Sequence, residues 1–108
     1  MAWTTLLAAF FVGVFLVNGV PHFVQGVCGN RFQTPFARPP GVGESPALIN
    51  VLWGAFNFAV GFGLMHWAFP RGFPPPIELC IVAGIGGLLI ALGLAYHFGR
   101  VRRGSPHP

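Results

Sequence analysis

The sequence predicts an all-α membrane protein built from three transmembrane helices, and three observations carry that expectation. Hydrophobic residues make up 54% of the 108 positions and charged residues only 7%, against roughly 25% charged residues in a water-soluble domain. A fold this small exposes much of its chain, and six arginines with two glutamates cannot cover that surface. The apolar residues also fall into three long runs, separated by stretches rich in glycine and proline.

The first run, 3–20, is about 18 residues and about 27 Å as a helix, the thickness of a hydrocarbon core. Asn18-Gly19 supplies a helix stop and Pro21 opposes continuation. No positive segment precedes the run, and no small-residue cleavage site follows it, so it reads as a retained helix and not as a signal peptide. A long membrane-surface loop over 21–45 follows, on the cytoplasmic side. Pro21, Pro35, Pro39, Pro40, Gly41 and Gly43 break its pattern. Phe23, Phe32 and Phe36 beside Arg31 and Arg38 suit the headgroup region, where rings bury and cations meet phosphate. A short helix over 21–27 is compatible with this segment.

The second helix is expected over 46–69, with Ser45 as its N-cap and Pro46 at its first position. Pro70, Gly72 and Pro74-Pro75-Pro76 form an outer turn over 70–76 that makes helices two and three an antiparallel hairpin. The third helix is expected over 77–98, with Glu78 in its first turn and Arg100 past its end, both favourable to the helix dipole. Residues 99–108 are left as a tail. All 108 residues form a single membrane domain.

Three crossings put the termini on opposite sides. Arg31, Arg38, Arg100, Arg102 and Arg103 then share the C-terminal side and only Arg71 lies on the other. Positive charge collects on the cytoplasmic side, which predicts an outward N-terminus and an inward C-terminus, in a bacterial inner membrane. These five arginines are the expected lipid-facing basic residues. Cys28 and Cys80 fall at opposite faces, about 30 Å apart, so both thiols are expected free.

Candidate functional residues are the few polar ones within or beside the apolar runs: Asn18, His22, Gln25, Asn50, Asn57, His66, Glu78 and His97. Asn50, Gly54, Asn57 and Gly61 share one face of helix two. Small residues let backbones approach and asparagines hydrogen-bond across helices, so the face predicts a packing seam before a polar track. Ala83, Gly87, Ala91 and Ala95, flanked by Gly86, Ile90, Gly93 and His97, offer the same on helix three, as do Ala9 and Gly13 on helix one. Trp3, Trp53, Trp67 and Tyr96 suit interfacial anchoring.

His22 and His97 come to one depth and form the only pair that a metal or haem site would use. No C-x-x-C-H motif or carboxylate partner supports them. His66, Arg71 and Glu78 gather around the outer turn as helix-end charges. No nucleotide-binding or nucleophile motif is present. The arginines form no long basic face, so no nucleic-acid partner is expected. The resulting expectation is an accessory, non-enzymatic membrane protein without cofactor or metal. It would pack against itself or a larger membrane complex, with the bilayer as its other partner. A small oligomeric transporter or channel, and a redox or metal protein using His22 and His97, are the alternatives.

Overall fold

The computed structural model describes residues 2–104, a mostly helical body of 49 × 24 × 20 Å. The order is α1 (Trp3–Val27), β1 (Phe32–Gln33), β2 (Glu44–Ser45), α2 (Ala47–Ala68) and α3 (Ile77–Arg103). Each of the three helices is long and apolar enough to cross a membrane. The last four residues of the expected tail lie outside the described residues.

α1 runs seven residues past the expected stop at Val20 and passes through Pro21. The proline removes only the donor that Val17 would use. Asn18-Gly19 is not a helix end because Gly19 is a packing position: a Cβ there would lie 2.8 Å from the Gly54 carbonyl of α2. The actual stop is Gly29, whose positive φ of 79° turns the chain. Its N–H bonds the Gly26 carbonyl at 3.0 Å and the Asn30 N–H bonds the Gln25 carbonyl at 2.9 Å. That pair is the Schellman arrangement, in which a left-handed residue just past the helix satisfies its last carbonyls.

The connection to α2 is folded. β1 and β2 pair antiparallel, Phe32 opposite Ser45 and Gln33 opposite Glu44. The Thr34 hydroxyl accepts from the Phe36 and Ala37 N–H groups, each at 3.2 Å, and the Gly41 N–H bonds the Thr34 carbonyl at 2.9 Å. Ser45 does not cap α2 as expected. Its hydroxyl is bonded to Thr34, and Pro46 precedes the first helical residue.

α2 ends at Ala68, where Phe69 is extended ahead of Pro70, as a residue before proline prefers. α3 starts behind Pro76 and continues to Arg103, five residues past the expected end. Hydropathy marks where apolar side chains stop; the helical hydrogen bonds carry on through the arginines.

The packing departs from a simple α2–α3 hairpin. Both helices pack along α1 and barely touch each other. The reason is where the small residues fall. On one side of α1, Gly19 and Gly26 meet Gly54, Ala47 and Val51, and Gly61 receives Leu16. On the other, Gly13 lies against the Ala83 carbonyl and Gly86 against the Phe10 carbonyl, in backbone contact that no Cβ would allow. Asn50, Gly54, Asn57 and Gly61 are the buried residues of α2. Gly93, grouped with the seam of helix three, faces open space.

Candidate functional site

The candidate polar residues separate into a connected group at the β-hairpin end and isolated ones elsewhere. Asn50 is the hub of the group and is wholly buried. Its Nδ2 lies 3.1 Å from the Phe32 carbonyl, 3.1 Å from the Ser45 carbonyl and 3.2 Å from the Pro46 carbonyl. Carbonyls only accept, so the amide nitrogen must face them and the amide oxygen must face His22. That oxygen lies 3.0 Å from His22 Nδ1. An amide oxygen also only accepts, so Nδ1 carries the proton that it donates to Asn50. One side chain thereby joins α1, both hairpin strands and the start of α2.

His22 is 3% exposed and sits in an aromatic box. Its ring lies edge-on to Phe32 at 5.5 Å, to Phe98 at 6.3 Å and to Trp53 at 6.4 Å. Phe32 and Phe98 also pack together at 4.8 Å. The hairpin is therefore fastened to all three helices. α3 contributes two further ties. His97 Nε2 lies 2.7 Å from the Gly41 carbonyl, where it donates. Arg102 lays its guanidinium over the Phe32 ring at 5.0 Å and donates to Gln33 Oε1 at 3.4 Å.

A second polar pair lies deeper between α1 and α2. Asn18 Nδ2 donates to Asn57 Oδ1 at 2.9 Å, and Asn57 Nδ2 donates to the Trp53 carbonyl one turn earlier at 2.8 Å. Each buried amide group is thus matched within the helix pair, as an apolar surrounding demands. Trp53 is the exception: its indole nitrogen is enclosed without a partner among the described residues. Its ring stacks on Phe56 and meets Phe36 edge-on at 4.9 Å. These rings, with Ser45, Ile49 and Leu52, line an open apolar groove of about 720 Å³ on the outer side of α2.

The remaining candidates stay outside. Gln25 accepts from Asn30 at 2.9 Å in an exposed position and does not join His22. His66 and Arg71 line a shallow cavity at the opposite end, and Glu78 is not part of its wall. Cys28 and Cys80 are both free and exposed. Among the described residues no three histidine, cysteine or acidic side chains are grouped to hold a metal. His22 and His97 reach the same end, but the Nδ1 of one and the Nε2 of the other are engaged by Asn50 and Gly41. All five arginines of the hairpin end are exposed. Arg31 donates to the Glu44 carbonyl at 3.0 Å and Arg100 lies over the Tyr96 ring at 5.7 Å.

Sequence reasoning missed Phe32, Gln33, Thr34, Gly41 and Ser45 as members of this group. The side-chain bond of Thr34 to Ser45 spans 11 positions and that of Gln33 to Arg102 spans 69, and no local pattern marks such pairings. The comparisons add no relative: no family model, no curated protein and no solved structure matches this chain.

Proposed function

We propose that this chain is an accessory integral membrane protein, non-enzymatic, that packs against itself or against a larger membrane complex. It would cross a bacterial inner membrane three times with its N-terminus outward. The observation that carries this is the placement of α1 between the other two helices. α1 supplies most of the buried small residues, and α2 and α3 turn their remaining apolar side chains outward. Leu48, Leu52, Phe56 and Phe62 of α2 are each more than half exposed, as are Ile77, Ile81, Leu88 and Leu92 of α3. Such faces need lipid or protein cover.

The orientation rests on charge. Arg31, Arg38, Arg100, Arg102 and Arg103 gather at the hairpin end with Glu44, and Arg71 stands at the other with Glu78. The positive-inside rule then puts the hairpin in the cytoplasm. A transporter receives less support, because Asn18, Asn50 and Asn57 spend their amide groups on internal hydrogen bonds. A redox or metal role for His22 and His97 receives less support for the same reason.

The test is affinity purification of the full chain in mild detergent after crosslinking in intact cells. A reproducible higher-mass species, of the chain with itself or with a defined membrane protein, is the expected result. A lone monomer under every mild condition would remove the proposal.

A further inference from the structure

The two seams of α1 differ in how far they stay closed. Against α3, the contact is tight where Gly13 meets Ala83 and where Val17 meets Gly87. Towards the hairpin end it opens into a groove of about 310 Å³, walled by Val17, Val20 and Pro21 on α1 and by Ala91, Ala95 and Phe98 on α3. From Ala91 to Phe98 the groove runs about 10 Å along α3, roughly the upper third of a hydrocarbon core about 30 Å thick. Its walls are almost wholly apolar. Arg102 stands one helical turn above its upper end, on the same face of α3 as Ala91, Ala95 and Phe98. The guanidinium carbon lies 5.0 Å from the centre of the Phe32 ring, which in turn packs on Phe98. Among the described residues its one side-chain hydrogen bond, to Gln33, is long at 3.4 Å, and most of its five donors have no partner there.

We propose that this groove seats the upper part of an acyl chain of one anionic phospholipid, whose phosphate rests on Arg102. The inference rests on the membrane-spanning reading above. Charge selects the occupant. A second copy inserted the same way round would bring its own five arginines against these five, a like-charge contact. An anionic headgroup meets them with opposite sign, at the leaflet where such lipids are concentrated. The small side chains of Ala91 and Ala95 leave the width that a methylene chain fills.

The test uses the full chain in phosphatidylcholine vesicles containing a minor fraction of phosphatidylglycerol, each lipid spin-labelled on its acyl chain in turn. The protein should hold phosphatidylglycerol in preference to phosphatidylcholine in the motionally restricted population. One arginine near the surface corresponds to about a fivefold preference, and Arg102→Gln should remove that factor. Arg102→Lys, which keeps the charge, should retain it, and Arg71→Gln should leave it unchanged. Ala95→Phe, which fills the groove, should lower the preference as Arg102→Gln does. If either Arg102→Gln or Ala95→Phe kept the wild-type preference, the site would be ruled out. Disulfide dimers through Ala95→Cys, in a background of Cys28→Ser and Cys80→Ser, would assign the groove to a second copy and overturn the proposal. Absence of any restricted lipid would remove the membrane-spanning reading and this site together. A restricted population without anionic preference would remove the site alone.

Discussion

The seam between α1 and α2 and the seam between α1 and α3 solve the same packing problem by different chemistry. Both rely on glycines that bring backbones together. Only the α2 seam also buries amide side chains, Asn50 and Asn57, with the buried His22 bonded to Asn50. An apolar contact tolerates sliding by a turn, because one small residue resembles the next. A buried amide tolerates none, since a shifted partner leaves a donor or acceptor unmatched at a cost of about 1–3 kcal/mol. The α2 seam is therefore fixed in register by polar groups, and the α3 seam by shape, with His97 and Arg102 tying only its hairpin end.

The largest effect should come from breaking the polar seam at its hub. Asn50→Leu leaves the His22 Nδ1–H without its acceptor and takes the amide donor from the Phe32 and Ser45 carbonyls, while the Pro46 carbonyl keeps the backbone N–H of residue 50. A loss of about 3 kcal/mol is expected, read by reversible unfolding in detergent, with faster hydrogen exchange across 32–45. A loss below about 1 kcal/mol would mean the hairpin is held chiefly by its aromatic contacts. Gly13→Leu attacks the other seam, where even a Cβ collides with the Ala83 carbonyl. It should cost about 2 kcal/mol and lengthen spin-label distances between α1 and α3 while those between α1 and α2 hold. Equal lengthening on both sides would contradict the independence of the two seams. The smallest effect belongs to Asn57→Leu, which removes the Asn18 bond and leaves the hairpin untouched. About 1 kcal/mol is expected, with exchange over 32–45 unchanged.

The seam of α2 was legible because its four buried residues recur at helical spacing within one apolar run, and that periodicity depends on nothing outside the helix. The end of α1 was not. Asn18-Gly19 and Gly29-Asn30 carry much the same local signal, and only contact with Gly54 decides that the first pair stays helical. The hairpin was illegible for a related reason. Two-residue strands are too short to display alternation, and their anchor, Asn50, lies in another element. Pairing of α2 with α3 was expected from the short turn alone, but a short turn sets direction, not contact. The glycines facing α1 decided the partner.

The central position of α1 has a bearing on biogenesis. During synthesis the N-terminal parts of a chain are available first, and here the first of the three helices in chain order is the one that the other two lie against. Each new helix therefore finds its docking surface already made, and neither has to wait for the other. Folding can follow the order of translation, with no stage at which a completed helix must be reopened to admit its neighbour.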